Sequence, residues 1–334
     1  MDERVYTVHV PAKALLFGEY GVMYGYDALA VTFWEHTFSI EVSFRKTGNN
    51  SLEVKSDYFD SGFLKIENVF ETQDNFSFLS KSERFFRSLF IPWQSFLRDN
   101  SFRISILHSY PKSLGFGSSS AIIASFISTL LIYLKESFHD KENYIVEEDI
   151  WKRLYRTLEL SQFRGSGYDI AVQRASLQEG KNIKMLPSFW KFRMNSFNKP
   201  YLDKVELSNS VRDFGCFVKT GIYSDTSEAI GTFESLRHKD KVEFAKSHGE
   251  LASEFLAEPN LAQLESLMRR SVTLAKKQNI LKVKETSLLN KLENNDIAYK
   301  TLGAGLGDCI WVLESPERLT SLGFKSSDIV YCFS

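Results

Sequence analysis

Leu114-Gly115-Phe116-Gly117-Ser118-Ser119-Ser120-Ala121 runs directly into an apolar stretch that continues to Lys135. The residues from Ser119 to Lys135 are apolar nearly all round, which predicts a buried helix. Glycines just ahead of such a helix let the backbone approach a ligand, and the free N–H groups and dipole of its first turn attract anions. Three serine hydroxyls add donors for phosphate oxygens or a ligand for Mg²⁺. Two readings fit this segment: an ordinary serine N-cap, or an anion cradle. It is neither of the two common nucleotide loops. No GxxxxGK[ST] occurs in the chain, and after Gly115 and Gly117 the position of a third glycine is taken by Ser120.

Other segments share that chemistry. Gly303-Ala304-Gly305-Leu306-Gly307-Asp308 lies between two strand candidates, Ile297–Thr301 and Cys309–Leu313. A hairpin turn would use glycine too, but three alternating glycines suit close approach to a ligand or to the first loop. Gly165-Ser166-Gly167-Tyr168-Asp169 follows a helix expected over Asn143–Gln162, on which Glu159 lies. Lys13 follows Pro11-Ala12 at the end of a strand beginning at Val5, and Glu19 sits in the turn Gly18-Glu19-Tyr20-Gly21. Taken singly, Lys13 and Asp169 read as ordinary surface charges, and Glu159 as a surface charge as readily as a ligand.

The chain has 334 residues with 41 Lys+Arg against 42 Asp+Glu, a net charge of −1, so no general field exists for a polyanion. Hydrophobic residues at 43% and charged residues at 25% exclude a disordered chain, a collagen or a polybasic arm. Cys216, Cys309 and Cys332 are far apart, which argues for a reducing compartment and against a disulfide framework or zinc site. The six histidines show no ligand spacing. No signal peptide is visible, and the apolar run Ala121–Leu134 falls short of the roughly 20 residues of a membrane span, so a cytoplasmic location is expected. Strands at Phe38–Phe44 and Phe102–His108 precede the buried helix. A strand at Gly215–Thr220, several helices between Thr226 and Asn294, and a final strand at Ile329–Phe333 complete the pattern. Without a regular βαβ rhythm, an α+β class is expected, divided into 1–205 and 206–334.

Three segments in this order resemble the motifs of the GHMP kinases. Pro11-Ala12-Lys13 followed by Phe17-Gly18-Glu19-Tyr20-Gly21-Val22-Met23-Tyr24-Gly25 and Ala28-Leu29-Ala30 is similar to the first motif, most of all in its mevalonate kinase form. Pro111 to Ala121 resembles the second and Lys300 to Cys309 the third. Thr220 to Thr226 resembles the segment ending in Ser-Thr before a helix. The matches span residues 5 to about 313.

The resemblance implies a two-domain α+β fold, with a ribosomal-protein-S5-like N-terminal domain on a ferredoxin-like C-terminal one. It implies an ATP-dependent kinase using Mg²⁺ and phosphorylating a small alcohol, with mevalonate kinase as the leading form. Phosphomevalonate kinase comes next, and a catalytically inactive nucleotide-binding regulator is the reading from another class. Its partners would be ATP and a small acceptor, not nucleic acid or membrane, and it leaves a homodimer open. Carried over by position, Leu114, Gly115, Phe116, Gly117, Ser118, Ser119 and Ser120 would wrap the triphosphate, and Ser119 and Glu159 would hold the metal. Asp169 and Lys13 would be catalytic, while Lys13, Glu19, Tyr20, Asp169, Thr226, Gly303 and Ala304 would line the acceptor. Tyr20 stands where mevalonate kinases usually carry histidine. Gly-Ser-Gly-Tyr-Asp and Asp308 are closer to the phosphomevalonate kinase pattern, for which Lys219 or Arg164 would supply an extra cation.

Overall fold

The structure, a computed structural model, describes residues 3–56, 62–71, 79–108, 114–137, 147–161, 166–178, 187–194, 200–207, 215–222, 226–257, 260–278, 287–303, 305 and 308–333. Alternating side chains build its first sheet. Strand β1 (Glu3–Phe17) pairs antiparallel along nearly all of β2 (Ala28–Lys46), with a register shift at Pro11/Ala12, where proline removes a ladder donor. Phe38, Ile40, Val42 and Phe44 on β2 are buried, whereas Glu41 and Arg45, on the opposite face, are more open. The first half of β2 pairs with β6 (Ser188–Arg193) and the second half with β5 (Asn100–His108). With β3 (Leu52–Lys55), β4 (Phe63–Ile66) and β7 (Tyr201–Val205) the order is β4-β3-β5-β2-β6-β7, β1 joining at β2.

Helices cover the apolar face of this sheet. They are α1 (Lys81–Phe90), the one-turn α2 (Gln94–Leu97), α3 (Ser118–Ser137), α4 (Glu147–Leu160) and α5 (Tyr168–Gln178). Phe126 of α3 packs on Phe90 at 4.5 Å between ring centroids, and Tyr133 stacks on Phe44 at 4.4 Å. Each buried ring of this kind contributes roughly 1.5–3 kcal/mol. Helix α3 is long and apolar enough to cross a membrane by length and composition, more than the sequence reading allowed. However, 67% of its apolar window is buried inside the protein, as in a core helix.

The second sheet, in the order β11-β8-β10-β9, is antiparallel and consists of β8 (Cys216–Lys219), β9 (Tyr299–Thr301), β10 (Cys309–Val312) and β11 (Ile329–Cys332). Its two faces serve different cores. Val218, Ile310 and Val312 pack with Val272 and Leu292, on α8 (Leu261–Lys277) and α9 (Ser287–Asn294). Phe217, Trp311, Tyr331 and Phe333 join the large core of the first sheet, where Tyr331 stacks on Phe33 at 4.4 Å. Both faces are therefore apolar, and the strands read as nearly unbroken hydrophobic runs. Helices α6 (Thr226–Glu234), α7 (His238–Leu256) and α10 (Pro316–Ser321) are the remaining α-helices among the described residues.

One expectation is corrected here. Cys216 and Cys332, 116 residues apart, face each other across β8 and β11 and form a disulfide. Sequence spacing carried no sign of this, because strand register alone makes the two residues neighbours. Cys309 is free and buried, and burial pushes its thiol pKa well up. Alkylation of the denatured, unreduced protein is expected to label Cys309 alone, read by mass spectrometry; labelling of Cys216 or Cys332 would show the bond absent.

Candidate active site

Lys13 lies in the C-terminal third of β1, opposite Thr32, and its backbone N–H donates to the Phe116 carbonyl at 3.3 Å. That bond fastens β1 to the glycine–serine loop. Gly115 and Gly117 hold positive φ values of 67° and 85°, a region that favours glycine. A Cβ on Gly117 would stand 2.5 Å from Lys13 Cε and 2.7 Å from Ser120 Oγ, so the missing side chain is the space through which the lysine passes. A Cβ on Gly115 would meet Asp308 Oδ2 at 2.7 Å. The third glycine loop therefore closes on the first, as its spacing suggested.

Asp308 is held there with φ +54° by its own N–H donating to Ile222 O at 2.6 Å and its carbonyl accepting from Thr220 N at 2.7 Å. Gly303 N–H donates to Leu15 O at 3.4 Å and ties the start of the same loop to β1. Tyr168 and Asp169 form the first turn of α5, half-buried; Lys13 Nζ donates to the Tyr168 hydroxyl at 2.9 Å, and Asp169 Oδ1 accepts from Ile170 N at 3.0 Å. Burial lowers the Lys13 pKa, but Tyr168, Asp169 and Asp308 together outweigh it and hold the ammonium above the ordinary lysine value. Burial raises the Tyr168 phenol despite Lys13 beside it. The result is a protonated lysine against a phosphate-type loop, flanked by carboxylates from two separate segments.

Solved structures with the same architecture give this arrangement a context. Mevalonate kinase from Methanococcus jannaschii superposes with a TM-score of 0.67 at 21% identity, over 96% of this chain and 93% of that one. Phosphomevalonate kinase from Streptococcus pneumoniae, in complex with phosphomevalonate and AMPPNP, gives 0.65 at 16% identity over 98% of each chain. Galactokinase from Lactococcus lactis, complexed with galactose, gives 0.57 at 15% over 96% and 88%. The fold is that of the GHMP kinases. No protein-family model matches the chain, and no curated protein does.

Within the GHMP kinase fold the expected site residues separate into groups. Lys13, Asp169, Gly115, Gly117 and the serines gather at the N-terminus of α3. Ser118 and Ser119 are half-buried, with no hydrogen-bond partner for their hydroxyls among the described residues. Ser120 differs: its hydroxyl donates to Gly117 O at 2.8 Å and closes the helix turn. Leu114 and Phe116 are buried, so only their backbones face the loop; Phe116 packs on Phe33 at 5.0 Å.

Tyr20, expected to line the acceptor, is buried. Its ring packs on Phe233 at 4.6 Å and Phe244 at 5.6 Å, in an apolar cluster that pushes its phenol pKa up. Glu19 is buried, and its carboxylate is already engaged: Lys300 Nζ donates to Oε1, and His248 Nδ1 lies 3.2 Å from Oε2. Burial disfavours the Glu19 charge, yet Lys300 and His248 overcome it and hold the carboxyl below the usual range. Neither Lys300 nor His248 received a role from the sequence. The position of Lys300 at the head of the third motif was a signal, whereas His248 had none.

Glu159 is not brought to this group. Its side chain is 66% exposed on α4 and pairs with Arg156 at 3.0 Å. On α4 its neighbour Leu158 turns toward Gly167, and the Glu159 side chain stands in solvent. No group of three His, Cys, Asp or Glu among the described residues is placed to hold a metal. Ser119 at the loop fits a cation bound chiefly by nucleotide phosphates and water, the habit of Mg²⁺. Thr226 opens α6, but its side chain, Ala304 and Arg164 lie outside the described residues.

The passage of Lys13 past Gly117 makes a prediction. Gly117→Ala places a methyl where Lys13 Cε lies and forces an L-residue into positive φ. Turnover is expected to fall about 10²-fold through displacement of the ammonium. Steady-state kinetics beside thermal melting checks this; unchanged kcat would show that Lys13 has room to spare.

Proposed function

We propose that the chain is an ATP-dependent small-molecule kinase transferring the γ-phosphoryl group to an alcohol, with the 5-hydroxyl of mevalonate as the first acceptor. The observation that carries this reading is the convergence of Lys13, Asp169 and the Gly115–Ser120 loop at one helix N-terminus. Phosphoryl transfer asks mainly for positioning and charge neutralisation. The α3 N-terminus with Ser118 and Ser119 would receive the phosphates, and the Lys13 ammonium would face the oxygens of the transferring group. Asp169 would accept the hydroxyl proton as the new P–O bond forms and the bond to ADP breaks. Mg²⁺ held with ATP at Ser119 would neutralise phosphate charge. In this reading the nucleotide loop belongs to 1–205 and the third loop to 206–334.

Phosphomevalonate is the second acceptor, favoured by Tyr168 before Asp169 and by Asp308 against Gly115. Tyr20, held in its aromatic cluster, also stands where the mevalonate form usually carries histidine. A coupled ADP-release assay with ATP and Mg²⁺ tests the reading on mevalonate, phosphomevalonate and a sugar panel. Turnover on mevalonate supports the first acceptor and turnover on phosphomevalonate alone the second. ATP binding without turnover on any of them would replace the enzyme by a nucleotide-binding regulator.

A further inference from the structure

Lys13 has a flexible four-carbon stem, so a lysine that must meet a phosphoryl group needs something to fix its head. Three contacts confine it. Its backbone is fixed by β2 and by Phe116 O, its stem passes Gly117, and its ammonium donates to the Tyr168 hydroxyl at 2.9 Å. Tyr168 is itself fixed. Its N–H reaches Ser166 Oγ at 3.4 Å, Gly167 before it takes φ +73°, and its ring lies 6.4 Å from that of Phe192 on β6.

The hydroxyl is well chosen for this task. A carboxylate at this distance would hold the ammonium as a tight ion pair and compete with phosphate for it. A phenol accepts one of three ammonium hydrogens and leaves two. Its own hydrogen has no acceptor among the described residues and stays on the oxygen, because burial raises the phenol pKa. Lys13 and Tyr168 together present donors in a row beside the Asp169 carboxylate.

We infer that Tyr168 is the positioning residue for Lys13, holding the ammonium toward the transferring phosphoryl group. This inference rests on the kinase reading.

Tyr168→Phe tests it, since the ring and its packing on Phe192 remain. The expected result is a fall in kcat of about 10- to 100-fold, the worth of one hydrogen bond to a charged group. KM for ATP and the affinity for a fluorescent ATP analogue should stay within about twofold, with the melting temperature unchanged. Tyr168→Leu should lose at least as much kcat and, lacking the ring, some stability as well. A readout independent of turnover is the ¹H–¹⁵N signal of the Lys13 ammonium, assigned by its loss in Lys13→Met. A hydrogen-bonded, buried ammonium gives a protected signal in the wild type, which should broaden in Tyr168→Phe. Wild-type kcat in Tyr168→Phe, or an unchanged ammonium signal, would overturn the inference while leaving the kinase reading intact. Absence of turnover in the wild type on every acceptor would overturn the kinase reading, and the catalytic consequence of Tyr168 with it.

Discussion

Asp169→Asn is expected to lower turnover by about 10²- to 10⁴-fold, the range attributed to a positioned general base. The amide keeps the shape of the side chain and an oxygen to accept from Ile170 N, so the first turn of α5 should persist. What disappears is a negative charge beside Lys13 and an acceptor for the hydroxyl proton. Binding of an ATP analogue should change little, because in the proposed reading the loop at α3 would make those contacts without Asp169. Steady-state kinetics with a parallel titration of the analogue decides the point. A variant keeping more than a tenth of wild-type kcat would remove Asp169 from the reaction and leave it as a helix-start residue.

Lys300→Met should be the most damaging single change to stability, at about 3–5 kcal/mol, measured by urea unfolding. Lys300 is fully buried, donating to Glu19 and, at 2.6 Å, to Thr301 O. Removing it leaves the buried Glu19 carboxylate with His248 alone. The double variant Glu19→Gln/Lys300→Met should recover part of the loss, since a neutral amide costs less to bury than an uncompensated charge. If the double variant were less stable than Lys300→Met, the pair would not be coupled as drawn. The same cluster gives a pH dependence. Because the folded-state pKa of Glu19 lies below its ordinary value of about 4.5, its contribution is fully present above that pH. It is lost as pH falls further, through the folded-state pKa, and the acid unfolding of Glu19→Gln should lack this component.

The candidate site was legible in the sequence where the chemistry it offers is local. A glycine–serine loop before an apolar helix needs only neighbours in the chain, and Lys13 and Asp169 sit beside turns of the same kind. The strands around Val5–Val10, Phe38–Phe44 and Phe102–His108 were equally plain, since alternation is a property of a few consecutive residues. Between residues 45 and 100 the sequence is polar and poorly patterned, yet the interval holds α1. Ser80 caps that helix by accepting from Glu83 N at 3.1 Å, and the spacing Ser80-Lys81-Ser82-Glu83 was a start signal passed over. Strands β6 and β7 were missed because Pro187 and Pro200 dominate their segment; the prolines stand just before the two strands, not inside them.

What could not be read is what depends on residues far apart. Glu159 has the residue type of a metal ligand, but the direction a side chain takes from a helix depends on what the helix packs against, and α4 turns it to solvent. The resemblance implies a substrate-side role for Tyr20, and only the tertiary structure shows its ring packed in the aromatic cluster of α6 and α7.

By itself the sequence determined the α+β class, the order of the three glycine loops and the chemistry each offers, because backbone freedom at glycine and side-chain periodicity are short-range properties. The tertiary structure alone decided which of these groups meet. It set Asp308 on Gly115, Lys13 on Tyr168, Glu19 between Lys300 and His248, and Cys216 on Cys332, across sequence separations of 116 to 281 residues in the bonded pairs of Cys216 and Glu19. Such meetings follow from strand register and from how two sheets share one core. Both are fixed by the packing energy of the whole chain, and no segment encodes them alone.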